Sequence, residues 1–342
     1  MSLKNLSVKI KIPKFFQKKL SNKKINSIYK KFEKSLNIKE NFIVAVSGGP
    51  DSLALAFLAK IYSIKNKLNL RFFIVDHKLR PESTKEAKAV KNILKKHSIN
   101  LEILTWYGKK PKKNVQSIAR KKRYELLLKK CDQLKIKNIL LAHHQDDLFE
   151  NFFIRIVRGS GLKGLISFDK KTTYKNVNFL RPLINQKKVD LLFLSKNIFN
   201  FYVIDPSNNE EKFKRIQIRN SMTELKKFGL DEKKFLITIK NLKYSNDVVN
   251  FYVNKNLQNN TFFSAKKNRL TIGNNFFNQP HEVIFRSLSD AINTVGNKYY
   301  PVRGKKLDKI IKEIQNNSLI KVTLGGCIIE KVNQTVIITK EN

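Results

Sequence analysis

Short apolar runs alternate with amphipathic helical patterns between residues 41 and 157, and this alternation restricts the fold more than any other feature of the sequence. The apolar runs, which predict strands, lie at residues 41–46, 70–75, 100–105 and 138–142. The helical patterns lie at residues 52–64, 83–97, 115–135 and 146–157. Continuous apolar strands joined by helices form right-handed crossovers in a parallel sheet that is covered on both faces. The sequence therefore predicts an α/β fold.

Three polar segments directly follow predicted strands. They read SGGPDS at 47–52, DHKLRPES at 76–83 and HHQDDLFE at 143–150. In parallel sheets, ligands bind beyond the carboxyl ends of the strands. We therefore expect these three segments to share one site.

The segment SGGPDS connects a strand to a helix, where phosphate commonly binds. Gly48 and Gly49 can adopt backbone angles closed to other residues, and they let a phosphate approach the chain. Pro50 suits the first helical turn, whose amides and partial positive charge attract an anion. The segment lacks the lysine of a Walker A motif and the spacing of a dinucleotide-binding fingerprint.

The side chains of the same segment add hydroxyls and a carboxylate. Ser47 and Ser52 supply the hydroxyls, and Asp51 would repel a phosphate unless a divalent cation lay between them. The alternative is a polar turn that only caps a helix.

The segment HHQDDLFE brings together several acids. If its helix begins near His144, Asp147 and Glu150 lie one turn apart on one face, as do Asp146 and Glu150. One alternative is a solvated acidic helix start, which the helix dipole favours. Another is a zinc site built from His143, His144 and a carboxylate, although no cysteine supports it.

The charge of the chain has two interpretations, a polyanionic partner or a bias in composition. The formal net charge is +42, with 69 basic and 27 acidic residues. A nucleic acid would release counterions on meeting such a surface, but a general bias toward Lys, Asn and Ile would give the same excess without a function. The arginines carry more information than the lysines, because the planar guanidinium suits phosphate. Arg120 and Arg123 could share one helix face that binds an anion. The alternative is that this face is simply solvated.

Length and composition limit the remaining possibilities. A chain of 342 residues predicts two domains, and we place a basic N-terminal extension at 1–22, a catalytic domain at 23–228 and a C-terminal domain at 229–342. Cys131 and Cys327 form no disulfide framework or CxxC pair. Without a secretory signal or an apolar run of about 20 residues, we expect a cytoplasmic protein that has no membrane span.

The polar segments resemble those of a known family. SGGPDS is similar to the loop of the N-type ATP pyrophosphatases, and DHKLRPES and LAHHQDDLFEN resemble signature segments of the tRNA(Ile)-lysidine synthases. Further matches occur in the same order, at ARKKRYELL (119–127), RGSGLKGL (158–165), RPLI (181–184) and DPSNN (205–209). The resemblance implies a Rossmann-like, parallel-sheet PP-loop ATPase domain with a smaller α+β C-terminal domain that binds tRNA. We expect a short form of the family.

The resemblance also implies a reaction. The family uses ATP and Mg²⁺ to join free L-lysine to C2 of the wobble cytidine in tRNA(Ile) with a CAU anticodon, through an adenylated cytidine. The product reads AUA in place of AUG. A homodimer is possible.

Roles for individual residues follow from the same resemblance. Those expected to act catalytically are Asp51, Arg123, Asp147, Glu150 and Arg215. Those expected to bind the nucleotide are Ser47, Gly48, Gly49, Pro50, Asp51, Ser52, Asp76, His77 and His143, with Asp51 holding the metal. Asp147 and Glu150 would hold the lysine amine, and the two arginines would contact the activated nucleotide.

Two departures from the family pattern and three alternatives remain. The sequence has Ile216 in the segment 215–219, where the family has an asparagine, and Asn151 where threonine is common.

A tRNA thiolase would usually need cysteines near the site, and an amidotransferase such as GMP synthetase would need a glutaminase. A basic RNA-binding protein without catalysis would have no need for Asp51, Asp147 and Glu150 in one pocket.

Overall fold

A computed structural model of the chain describes residues 12–108, 111, 113–204, 214–264, 269–297, 302 and 304–341. The chain divides into two compact units, Met1–Gly229 and Leu230–Asn342. The catalytic and tRNA-binding roles expected of the two predicted domains remain predictions. The motif DPSNN lies outside the described residues.

The first unit is built on a six-stranded sheet. Its strands are β1 (Phe42–Val46), β2 (Leu70–Asp76), β3 (Leu101–Thr105), β4 (Asn138–Leu140), β5 (Lys171–Tyr174) and β6 (Val177–Leu180). They lie in the order β3-β2-β1-β4-β6-β5, and every pairing is parallel except that of β5 with β6. The four strands predicted from the apolar runs and their parallel arrangement are confirmed.

Strands β5 and β6 form a hairpin that the sequence pattern did not reveal. Each has only four residues, and the turn between them uses Lys175 and Asn176, both with positive φ. Two consecutive left-handed residues are typical of the tight turns that join antiparallel strands. The segments were missed because such short strands carry little apolar periodicity.

Helices cover both faces of this sheet. They are α1 (Lys14–Leu20), α2 (Lys23–Ser35), α3 (Pro50–Lys65), α4 (Ser83–Lys96), α5 (Val115–Leu134), α6 (Gln145–Val157), α7 (Leu162–Leu165), α8 (Lys188–Phe199) and α9 (Lys214–Lys227). The four helices predicted between and after the strands are confirmed within a few residues. Helix α1 falls inside the predicted N-terminal extension, and its Phe16 is buried with its ring centroid 5.8 Å from that of Phe57.

Helix α3 lies at the centre of the core. Its residues from Leu53 to Ala59 are fully buried, because they pack between the sheet and α8. Strand β1 is likewise apolar on both faces. Burial of one large apolar side chain contributes about 1.5–3 kcal/mol to stability. Because this strand and helix bury many such side chains, they form a stable support for the loop between them.

In its described residues, the second unit combines three α-helices with a five-stranded antiparallel sheet. The helices are α10 (Glu232–Asn260), α11 (His281–Gly296) and α12 (Gly304–Gln315). The strands are β7 (Thr261–Ser264), β8 (Arg269–Ile272), β9 (Lys321–Leu324), β10 (Cys327–Val332) and β11 (Thr335–Lys340), in the order β7-β8-β11-β10-β9. The expected α+β character is confirmed. Among the described residues, none of the helices combines the length and the apolar composition needed to cross a bilayer.

Candidate active site

The loop between β1 and α3 has one position that only glycine can occupy. Gly48 has φ +88°, and a Cβ there would lie 2.8 Å from Cγ2 of Val90. The Gly48 carbonyl also accepts a hydrogen bond from the N–H of Val203 at 2.9 Å. Gly49 has φ −70° and room for a Cβ. Of the two glycines, Gly48 therefore uses a conformation closed to other residues, whereas Gly49 has an extended backbone that any residue can adopt.

The hydroxyl of Ser52 holds this loop together. Its Oγ accepts hydrogen bonds from the N–H groups of Ser47 and Gly48, each at 3.1 Å, and donates to the Gly49 carbonyl at 2.9 Å. Ser52 is only 3% exposed. Pro50 occupies the start of α3, as predicted. Ser52 thus shapes the turn in front of the helix N-terminus.

A buried histidine connects this loop to the acidic helix α6. Nε2 of His144 lies 3.6 Å from Oδ2 of Asp51 and 3.5 Å from Oδ2 of Asp147. His144 is 3% exposed. Oδ1 of Asp51 is buried and has no hydrogen-bond partner in the described part of the chain. The imidazole therefore lies between two carboxylates that come from different segments.

His144 also begins helix α6. Its Nδ1 accepts a hydrogen bond from the N–H of Asp146 at 3.2 Å, and Oδ2 of Asp147 accepts one from the N–H of His144 at 2.9 Å. This reciprocal capping box fixes the helix start predicted near His144. Burial by itself would lower the pKa of His144, but the carboxylates of Asp51, Asp147 and Asp146 outweigh it and raise that pKa above its ordinary value.

One turn further along α6, Glu150 is paired with an arginine of α9. Glu150 is 3% exposed, and its Oε1 accepts a hydrogen bond from Nε of Arg219. Its Oε2 is buried and has no hydrogen-bond partner among the described residues. Burial would lower the pKa of Arg219, but Glu150 and the more distant Asp147 and Asp146 raise it, so the guanidinium stays charged.

The carboxyl end of β2 contributes Asp76 and His77. The Asp76 carboxylate accepts hydrogen bonds from the N–H of Lys78 and from the hydroxyls of Ser83 and Thr84, at 2.9, 2.9 and 2.6 Å. Burial would raise the pKa of Asp76, but these hydrogen bonds lower it below its usual range. Both carboxylate oxygens are therefore used within their own loop, where Asp76 orients the residues that follow β2.

His77 has a different environment. Both of its ring nitrogens are buried and lack a hydrogen-bond partner within the described residues. Burial, together with the charge of Arg123, lowers the pKa of His77 to about 4. Arg123 is exposed on α5, and its effect on the pKa shows that its charge reaches the His77 ring at the end of β2.

The two remaining predicted site residues are His143 and Arg215. The ring of His143 packs edge-on against Phe168, with centroids 5.0 Å apart, whereas the ring of His144 faces Asp51. The zinc alternative gains no support, because no group of three or more His, Cys, Asp or Glu in the described part of the chain could hold a metal ion. Arg215 lies in α9, but its side chain is outside the described residues.

The structure thus joins the loop segment to the acidic segment, and the charge of Arg123 acts on His77. Two roles were not predicted from the sequence: that of His144 as a bridge between Asp51 and Asp147, and that of Arg219 as the partner of Glu150. The available signals were the capping position of His144 and the placement of Arg219 one helical turn after Arg215.

Comparison with known proteins gives a consistent assignment. Residues 17–226 match the family model of the PP-loop domain. The tRNA(Ile)-lysidine synthase of Wolbachia pipientis wMel is 32% identical over 308 residues, which cover 87% of this chain and 70% of that protein. The enzyme of the same name from Orientia tsutsugamushi is 34% identical over 311 residues, covering 87% of this chain and 69% of that protein.

A solved structure shares the fold of this chain. The U34-tRNA thiolase NcsA from Methanococcus maripaludis, solved with its [4Fe-4S] cluster, superimposes with a TM-score of 0.54 at 19% identity. The match covers 65% of this chain and 78% of the thiolase. At this level of identity the likeness concerns the fold alone.

Proposed function

The chain belongs to the tRNA(Ile)-lysidine synthase family, and on that basis we propose how its residues carry out the reaction. It is an ATP-dependent ligase with a PP-loop domain that forms lysidine on tRNA(Ile). The proposal adds that free L-lysine is joined to C2 of the wobble cytidine in a CAU anticodon, through an adenylated base.

In the first step, O2 of the cytidine attacks the α-phosphorus of ATP and pyrophosphate leaves. The positive N-terminus of α3, which follows the Gly48 turn, would hold the β and γ phosphates. A P-loop lysine serves transfer at the γ-phosphate, and its absence agrees with cleavage between the α and β phosphates. The step turns the oxygen on C2 into a good leaving group.

Asp51 fits the role of a magnesium ligand. Its Oδ1 is buried without a hydrogen-bond partner among the described residues, so this oxygen can face a cation. Mg²⁺ is usually held by one or two carboxylates together with substrate phosphates, so a single protein carboxylate suffices. The ion would neutralise charge on the departing pyrophosphate.

In the second step, the ε-amine of lysine attacks C2, the C–N bond forms, and AMP leaves with the C2 oxygen. The free ammonium has a pKa of about 10.4 and must lose a proton before it attacks. Oε2 of Glu150 would accept a hydrogen bond from the ammonium group, since this oxygen is buried and lacks a hydrogen-bond partner in the described structure. Asp147 lies beside Glu150 on the same helix face. Either carboxylate could take up the proton.

Arginine and histidine side chains near the carboxyl ends of the parallel strands would hold the nucleotide. Arg123 and Arg215 are proposed to contact phosphate, or the cytidine as its charge develops. His77 and His143 are proposed to contact the nucleotide. Asp76 would act through its loop, because its oxygens already accept hydrogen bonds from Lys78, Ser83 and Thr84.

The single observation that carries this mechanism is the position of His144 between Asp51 and Asp147. Because Asp51 and Asp147 both approach the same Nε2 atom, this contact supports a proposed pyrophosphate site and a proposed amine site that lie close to one another. A two-step ligase needs both sites within reach of the same base, whereas an RNA-binding protein without catalysis needs neither.

The test is a direct assay. The protein is incubated with ATP, radiolabelled L-lysine and an unmodified tRNA(Ile) that carries a CAU anticodon, and labelled tRNA and released pyrophosphate are measured. We expect lysine incorporation with AMP formation, and none with a methionine tRNA of the same anticodon. No incorporation, with other tRNAs or small amides reacting instead, would rule out the proposal.

Two further proposals concern the second unit. We propose that it binds tRNA, which would place the protein where tRNA is used, in the cytoplasm.

We also propose a homodimer through an exposed apolar stripe on α10. Its residues are spaced seven, four and three positions apart, and they are Ile237 (57% exposed), Tyr244 (56%), Val248 (59%) and Phe251 (64%). Light scattering should give twice the monomer mass, and Val248→Asp should reduce it to the monomer; a wild-type monomer mass would exclude the dimer.

A further inference from the structure

Tyr107 is an aromatic residue that packing does not explain. It is the second residue after β3 and is 84% exposed. Nζ of Lys78 lies 4.7 Å from the centroid of its ring. Since β2 and β3 pair in parallel up to Asp76 and Thr105, Lys78 and Tyr107 lie at the carboxyl edge of the six-stranded sheet.

The residues beside Tyr107 fix its position. The N–H of Trp106 donates a hydrogen bond to the carbonyl of Asp76 at 2.9 Å, and its indole meets the ring of His77 edge-on, with centroids 6.3 Å apart. On the other side, a Cβ at Gly108 would lie 2.4 Å from Nε1 of Trp106, so the backbone passes very close to the indole. Tyr107 therefore projects from a backbone that is held before any ligand arrives.

His77 adds unused hydrogen-bonding capacity next to this aromatic pair. Neither ring nitrogen has a hydrogen-bond partner within the described residues, although both are buried. Its lowered pKa of about 4 keeps the ring neutral at pH 7. A neutral imidazole presents one donor and one acceptor, which is also the combination found on the edges of nucleobases.

We propose that Tyr107, supported by Lys78 and His77, is a stacking platform for an unpaired base of the substrate RNA. The proposal rests on the function proposed above and extends it to a base other than the one that reacts. Single-stranded RNA is commonly recognised by stacking splayed bases on aromatic side chains. Lys78 and the nearby Arg123 supply positive charge that suits the phosphates on either side of such a base.

An RNA base fits better than the adenine of ATP because the ring is so exposed. A platform at the rim suits a polymer that continues past the site, whereas small ligands are usually enclosed on most of their surface. Stacking of one base on an aromatic side chain contributes about 1–3 kcal/mol, which corresponds to about 5- to 150-fold in Kd.

The experiment measures the affinity of an anticodon stem-loop RNA for the full chain without lysine or ATP turnover. Tyr107→Ala should raise the Kd by about tenfold, while Tyr107→Phe should leave it near the wild-type value. Phe228→Ala is the matched control, because Phe228 is an equally exposed aromatic at 87%. Trp106, the single tryptophan of the chain, reports occupancy of this edge by its fluorescence.

The possible results separate this inference from the proposed function. An unchanged Kd for Tyr107→Ala would overturn the platform, even if the wild-type protein forms lysidine. Weaker binding of ATP with unchanged binding of the stem-loop would assign the ring to adenine and overturn the RNA assignment. If Tyr107→Ala weakens RNA binding but the wild-type protein incorporates no lysine, the platform stands and the proposed reaction fails.

Discussion

Nε of Arg219 donates a hydrogen bond to Oε1 of Glu150, a contact that joins α9 to α6 and leaves Oε2 of the same buried carboxylate without a partner among the described residues. One oxygen is thus held by the protein and the other is available to a substrate cation. The arginine orients the Glu150 carboxylate and offsets part of the cost of burying its charge.

The first prediction concerns this pair. Arg219→Gln should lower the free energy of unfolding by about 1–3 kcal/mol, because it leaves a buried carboxylate without its charged partner, and it should raise the KM for lysine. Denaturant unfolding and steady-state kinetics measure the two effects. Arg158→Gln changes an exposed arginine at the end of α6 and should alter stability little; equal losses in both variants would argue against a specific pairing.

Glu150→Gln should separate the two half-reactions. The amide keeps the shape of the side chain but cannot hold an ammonium or take up its proton, so lysine transfer should fall far more than adenylation. Pyrophosphate release and labelled-lysine incorporation, measured on the same variant, report the two steps. Equal loss of both steps would contradict the role given to Glu150.

Asp51→Asn should abolish adenylation. The substitution removes the charge that would hold magnesium against the pyrophosphate, so neither pyrophosphate release nor lysine transfer should be detected. Asp132→Asn, on the exposed side of α5, is the control and should retain both steps. Wild-type pyrophosphate release from Asp51→Asn would exclude the proposed metal ligand.

The two glycines of the loop should differ sharply. Gly48→Ala should lower stability by at least about 1–2 kcal/mol, the cost of a left-handed conformation for an L-residue, and more because its Cβ would lie 2.8 Å from Val90. Gly49→Ala should be tolerated, since its φ is −70°. Thermal unfolding of the two variants provides the comparison, and equal tolerance would contradict the geometry of the loop.

His77 should stay neutral well below its ordinary pKa of 6.5, down to about pH 4. Because the unfolded chain binds this proton first, the stability contributed by His77 is complete above pH 6.5 and is lost as the pH falls from 6.5 toward 4. NMR titration of the His77 ring tests this. Arg123→Gln should restore the pKa of His77 only in part, because burial is the larger cause of the shift. Arg120→Gln is the control and should leave that pKa unchanged. A pKa near 6.5 for His77 in the wild-type protein would refute the prediction.

Much of the first unit could be predicted from local sequence. The strands and helices around residues 47–52, 76–83 and 143–150 follow from apolar periodicity, and the helix starts follow from Pro50 and from the acids after His144. Parallel strands place their carboxyl ends side by side, which is why we grouped the three segments. The contact of His144 with Asp51 joins two of them, and a site shared by all three stays a prediction. Both glycines looked alike in sequence, however, and only the fold distinguishes the left-handed Gly48 from the extended Gly49.

The sequence by itself therefore determined the α/β class, the phosphate loop and the acidic helix, because these depend on residue type and spacing within short segments. Only the tertiary structure decided that His144 lies between Asp51 and Asp147, that Arg219 holds Glu150, and that Asp76 is used within its own loop. These pairings join residues that are distant along the chain or that have several possible partners. Which partner a buried charge finds is set by the packing of whole helices, and local periodicity does not encode that packing.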